Sequence, residues 1–177
     1  LGNSLLEIEK YKLAYECFRQ VVKLDPTDFD ATFRLGITCN NLKMPAKALI
    51  YFNKLLSRDK NNVDVLINKG YSLHLMGKYG RAILCYKQVL KQDPDEINAI
   101  YYMSKSTARQ NDAKQTCELI SKLLKLQFIN DLDHDHDHDH DHDHDHKQVH
   151  LIEKIQKDSD FKRMRTNANF LFLLKHN

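Results

Sequence analysis

The chain has 177 residues, 42% of them hydrophobic, which suits one continuous core of modest thickness or a short repeat array and excludes two large domains. Five Gly and three Pro leave little material for the tight turns of a sandwich or barrel, while Leu, Lys, Ala, Gln and Glu favour helix, so a mostly α chain is expected. The formal charge of +3 conceals a division: eight of the 24 acidic side chains lie in residues 131–146, which hold no Lys or Arg, and the remaining residues carry 27 basic against 16 acidic groups, or +11.

No window approaches the roughly eighteen consecutive apolar residues of a membrane span, and the opening LGNSLLEIEKYK lacks the basic flank and apolar stretch of a secretory signal. A soluble, cytoplasmic protein with no membrane association is expected. Cys17, Cys39, Cys85 and Cys117 are far apart and form no CxxC or Cys/His ligand spacing, which predicts reduced thiols lining the core. The first residue is not Met and falls inside a predicted helix, which suggests a piece cut from a longer protein.

In chain order, the first three stretches repeat one another. Gly2, Gly36 and Gly70 stand 34 residues apart, as do Ala14, Ala48 and Ala82, and the aromatic set Phe18, Phe52 and Tyr86 keeps the same step. Pro26 and Pro94 are separated by twice that step. A Gly in one helix and an Ala twelve residues later, across a short turn, let two antiparallel backbones approach closely, so each copy reads as an αα-hairpin. In copy three the second helix carries Ala82, Ile83, Tyr86, Val89 and Leu90 at spacings of three and four. Gly77 suits the left-handed residue that closes a helix, and Pro45 suits a first helical turn. Asp28 and Asp95 are placed to cap the helices that follow LDPTD and QDPDE.

These columns, G-x11-A-x3-[FY] followed by L/Q-D-P at a 34-residue period, resemble the tetratricopeptide repeat. The similarity runs over residues 1–126, with the first copy expected to be truncated, most of its opening helix lying before Leu1. It is closest in INKGYSLHLMGKYGRAILCYKQVLKQDP, and a fourth copy from Ile97 to Leu126 has Ser104 and Thr116 in the small-residue columns. The pentatricopeptide repeat, a similar hairpin that reads RNA, is the competing family, and the Gly, Ala and Asp-Pro columns favour the tetratricopeptide repeat. The resemblance implies an all-α, right-handed superhelical solenoid of antiparallel helix pairs, with the helices of residues 147–177 packing on the array as a cap. In that last region Val149, Ile152 and Ile155 share a stripe, Ser159 or Asp160 is the expected cap of a second segment, and NFLFLLK is too apolar to stay in water.

A repeat of this kind exposes its first helix on a concave groove. Helical geometry nominates Phe33, Arg34, Ile37, Asn40 and Asn41 in copy two, Ile67, Asn68, Tyr71 and His74 in copy three, and Tyr101, Tyr102, Lys105 and Arg109 in copy four. Aromatics among amides and cations fit an extended protein or peptide ligand, since amides pair with its backbone and rings stack on its side chains. The family's two-carboxylate clamp for chaperone tails is not matched. Asn3 fits its first Asn, but Arg34 stands where the next Asn belongs and Asp64 and Asn68 replace the Lys/Arg pair; a start one repeat later fits only at Asn68.

Two other functional classes are weighed. The sequence has no Gly-rich phosphate loop, GxSxG or HExxH, and His74 is the only His of the repeats, so no enzyme and no cofactor is expected. An RNA-binding role rests on the +11 balance with Tyr71, Tyr101 and Tyr102 available for stacking, and nucleic acid remains the weaker expectation. Residues 127–146 form the odd feature, a low-complexity insertion expected to be disordered. Its His134, His136, His138, His140, His142, His144 and His146 alternate with Asp and supply ligands for adventitious zinc or nickel, or for a metal-responsive function.

Overall fold

The computed structural model describes the backbone of residues 2–133 and 144–175, and the side chains of residues 8–126 and 151–175. The chain is all-α, and no strand occurs among the described residues. It divides into two compact units, Leu1–Gln92 and Asp93–Asn177.

The first unit holds α1 (Gly2–Leu24), α2 (Phe29–Asn41), α3 (Pro45–Leu56), α4 (Val63–Leu75) and α5 (Tyr79–Leu90), each packed on the next along the chain. The reason for the glycine column is steric. A Cβ at Gly36 would lie 2.5 Å from Cε1 of Phe52, and one at Gly70 would lie 2.5 Å from Cε1 of Tyr86, so each ring occupies the space a side chain would take. Phe52, Tyr86, Ala48 and Ala82 are all fully buried at these crossings.

The second unit opens with α6 (Ile97–Arg109) paired to α7 (Ala113–Asp133). This corrects the bounds expected for the disordered insertion: residues 127–133 continue α7 and residues 144–146 already belong to the next helix. Here Ser104 takes the glycine column and the aromatic column holds Ile120, both fully buried. A larger residue on one helix is thus matched by a smaller one on the other. Thr116, in the alanine column, is buried with its hydroxyl 2.9 Å from that of Thr107, so its extra polar atom is satisfied.

The turns repeat as faithfully as the helices. Lys43, Gly77 and Asn111, each 34 residues apart, adopt positive φ of 58°, 72° and 66°. The following amides of Met44, Lys78 and Asp112 donate back to the carbonyls of Cys39, Leu73 and Thr107, the longer bond of a Schellman closure. Copy one departs from the expected hairpin: its register position is Glu9, which has no aptitude for the left-handed region, and α1 runs unbroken through Gly2 and Ala14. Because a lysine at positive φ costs about 1 kcal/mol relative to glycine, Lys43→Gly should raise the unfolding free energy by about 0.5–1 kcal/mol in a denaturant titration.

Helix starts correct one expectation. The caps fall at Asp28, Asn62 and Glu96, whose side chains accept from the amides of Ala31, Val65 and Asn98. Asp95 is therefore not a cap; its carboxylate pairs with Lys122 at 2.9 Å. The second helix of each pair also fastens the preceding loop. Lys54 donates to the Pro26 carbonyl, Gln88 to that of Lys60 and Lys122 to that of Pro94, again in one register.

After α8 (His144–Lys157) come a 3-10 segment (Ser159–Thr166) and α9 (Ala168–Lys175). α8 and α9 pack on α7, and the 3-10 segment lies on α6. Its cap is Asp158, which accepts from the Asp160 amide, in place of the expected Ser159 or Asp160. Ile155, Phe161, Met164 and Phe170 are buried, while Phe172 is 64% exposed.

Candidate functional site

In the first unit the nominated residues lie on α2 and α4, which pair with α3 and α5. Arg34 and Asn41 are exposed, Phe33 and Ile37 half-buried on α2; Asn68 and Tyr71 are half-buried on α4. Arg34 Nε binds Asp30 Oδ2 at 2.6 Å one turn back, which holds the guanidinium along the helix. The Phe33 ring stacks on Phe29 and meets Phe52 edge-on, joining the nominated residues to the core. Asn68 Nδ2 donates to the Asp64 carbonyl, so its amide is oriented by its own helix.

Three nominated residues of this unit lie inside it. Ile67 is buried between helices, and buried His74 sets its ring edge-on to Tyr79 at 5.1 Å. Asn40 is 3% exposed, and its Oδ1 is 3.0 Å from Ser72 Oγ on α4. Ser72 is also 2.9 Å from the Asn68 carbonyl, and one hydroxyl proton cannot serve both acceptors. Turning the Asn40 amide lets its Nδ2, which lacks a partner as drawn, donate to Ser72 while Ser72 donates to Asn68. Asn40 thus ties adjacent repeats together. Helical spacing could not separate it from the surface stripe, because the inter-repeat contact that buries it is tertiary.

In the second unit the corresponding face of α6 is covered. Tyr101 is buried, Tyr102 and Lys105 are half-buried, and Arg109 is exposed. Asp158 and Asp160 lie over them: Lys105 Nζ is 2.8 Å from Asp158 Oδ2 and 3.1 Å from Asp160 Oδ2, Tyr101 donates to Asp158 Oδ2 at 3.1 Å, and Arg109 Nε is 3.8 Å from Asp160. Lys154 Nζ sits 4.5 Å from the Tyr101 ring centre, and the Tyr102 ring meets Tyr101 edge-on. Burial opposes the charge of Lys105, but hydrogen bonding to and attraction by Asp158 and Asp160 outweigh it and raise the ammonium above its usual pKa. The stabilisation from that shift is complete below the ordinary lysine value of about 10.4 and is lost only as pH rises through the raised value. Burial likewise pushes the Tyr101 phenol up. Asp158, Asp160 and Lys154 were not anticipated as site residues; the one sequence signal was an acidic Asp-Ser-Asp opposite two like charges one turn apart.

The free thiols differ from the expectation at one place. Cys39 and Cys85 are buried and Cys117 is half-buried, but Cys17 is exposed on α1. Burial pushes the Cys39 thiol up to about 11. No group of metal-ligating side chains occurs among the described residues, and no described helix is long and apolar enough to cross a membrane. His134, His136, His138, His140 and His142 lie outside the described residues, as do the side chains of His144 and His146.

Serial helix pairs closed by identical turns, with glycine-on-aromatic crossings, define an α-helical repeat protein whose class serves as a scaffold for protein–protein interaction. Residues 1–28, 29–62 and 63–96 match the tetratricopeptide repeat, and the chain belongs to that family. The human small glutamine-rich tetratricopeptide repeat-containing protein beta is 26% identical over 124 residues, covering 63% of this chain and 38% of the relative. The chain thus spans well under half the length of that relative. Among solved structures, YrrB, a repeat protein described as having an unusual peptide-binding site, is 24% identical with a TM-score of 0.61, covering 71% of this chain and 65% of its own. MamA is 14% identical with a TM-score of 0.65, covering 99% and 91%. At these identities the solved structures speak for the fold.

Proposed function

We propose that the nominated face of α2 and α4 holds an extended peptide or partner helix, and that the chain acts as an adaptor without chemistry of its own. The observation that carries this reading is the set of half-buried Phe33, Ile37, Asn68 and Tyr71 with exposed Arg34 on α2 and α4. The peptide-binding site of YrrB supports it. By the 34-residue register, the α6 positions of Tyr101 and Lys105 correspond to Ile67 and Tyr71 on α4 and to Phe33 and Ile37 on α2. The first unit therefore favours a ligand with apolar side chains, oriented by Arg34 and by the Asn68 amide oxygen.

The test is selection of peptides on the intact chain followed by substitution. Tyr71→Ala with Arg34→Ala should weaken binding of the selected peptides about tenfold or more while helicity is retained, since truncating an aromatic and an Arg at an interface costs on the order of 2 kcal/mol. Lys87→Ala, on α5, should leave binding unchanged. Loss of binding on Lys87→Ala instead would place the ligand on the outer helices.

A cytoplasmic setting belongs to the same proposal, in keeping with free thiols of which Cys39 and Cys85 are buried. The Asp/His tract adds loose uptake of zinc or nickel, supported by its seven imidazoles alternating with carboxylates.

A further inference from the structure

Lys105 and Arg109 are like charges one helical turn apart, an arrangement that is unfavourable on an isolated helix. The Lys105 side chain is only 15% accessible. An ammonium so far removed from water requires carboxylates close by, and it has two, from one short stretch of the same chain. Nothing comparable stands at the equivalent positions of the other repeats, which hold Tyr71 and Leu75 on α4 and Ile37 and Asn41 on α2. The cationic pair is thus peculiar to the fourth repeat, as is the acidic segment that lies on it.

The contacting groups also have the form of ligand recognition. Two side chains of α6, Tyr101 and Lys105, converge on the single oxygen Asp158 Oδ2, and Lys105 reaches on to Asp160 two residues later. Lys154 adds a third cation over the Tyr101 ring. Three cations, Lys105, Arg109 and Lys154, thus gather with Asp158 and Asp160 around Tyr101.

We propose that Tyr101, Lys105 and Arg109 form a binding site for an acidic peptide with aspartates two residues apart, and that Asp158-Ser159-Asp160 is its resident ligand, closing the site until it is displaced. The inference rests on the reading of the inner helices as peptide-binding faces, but concerns a different unit and a different ligand class. Asp158 is also the cap of the 3-10 segment, and asparagine keeps that capacity while removing the charge.

The experiment uses the full chain and a labelled, end-blocked synthetic peptide of residues 158–161, which carries both aspartates and no cation. The Asp158→Asn/Asp160→Asn chain should bind this peptide about tenfold or more tightly than the unsubstituted chain, because apparent affinity falls by the fraction of open sites. The same peptide carrying Asp158→Asn and Asp160→Asn should not bind, and adding Lys105→Gln to the opened chain should abolish capture. Amide exchange over residues 159–166 should rise in the opened chain and leave α2 and α4 unaffected. Equal binding by both chains would show that the segment does not close the site. A chain that exchanges faster yet captures no peptide would reduce the contact to a fastening of the terminus; either result overturns the proposal. Tyr71→Ala should not alter capture of this peptide, so failure here is distinguishable from failure of the α2/α4 reading.

Discussion

Gly70→Ala should destabilise the chain by about 1–2 kcal/mol, although helix propensity alone favours alanine by up to about 1 kcal/mol. The new Cβ would stand 2.5 Å from Cε1 and 2.7 Å from Cζ of Tyr86. That ring is fully buried, so relief requires the two helices to separate, at an overpacking cost of about 1–3 kcal/mol. The fourth repeat indicates the compensating change, since Ser104 is accommodated there opposite Ile120. Tyr86→Ile alone leaves a void and also destabilises. The double substitution should cost less than the sum of the two by about 0.5–3 kcal/mol, the range found for residues in direct contact. Urea titration of the four chains measures this coupling. A Gly70→Ala chain with a higher midpoint than the parent would remove close approach as the reason for the glycine column.

The second large effect concerns the Asp/His tract. Zinc or nickel uptake should be multi-site at pH 7.5 and almost absent at pH 5.5, because imidazoles with an ordinary pKa near 6.5 are mostly neutral at the first value and mostly protonated at the second. Protons and metal compete for the same nitrogens, so uptake follows the neutral fraction. Replacing the seven His of residues 134–146 by Asn should remove uptake and leave the melting of the repeats unchanged, since Asn is neutral and the length of the connection is kept. Peptide capture through α2 and α4 should be indifferent to zinc. A chain in which low micromolar zinc switches that capture, while the Asn-substituted chain does not respond, would make the tract a metal-responsive regulator.

Both predictions start from what one sequence can determine. The 34-residue step placed Gly36, Gly70, Ala48, Ala82, Phe52 and Tyr86 in columns, and these are the residues at which helix pairs cross. Periodicity of this kind is legible because every copy solves the same local packing problem with residues close in the chain. Gly77 and Pro45 were legible for a related reason: each is required by the backbone of its own turn.

What escaped the sequence depends on contacts between distant residues. Lys43 adopts the same positive φ as Gly77 because the Schellman closure imposes it, and nothing in lysine announces this. Asp95 was the expected cap, and only the position of α6 decides for its neighbour Glu96 and leaves Asp95 to Lys122. Asn40 and Asn41 are neighbours in a polar stretch, yet Asn40 turns inward to Ser72, 32 residues away, and Asn41 faces water. The largest such decision is at the fourth repeat. There Tyr101, Lys105 and Arg109 meet Asp158 and Asp160 across more than fifty residues that include the Asp/His tract. Helical spacing determined which α6 side chains share a face, but whether that face met solvent, a ligand or the chain's own terminus depended on where Phe161 and Phe170 found apolar surface to bury, a long-range choice that no local pattern encodes.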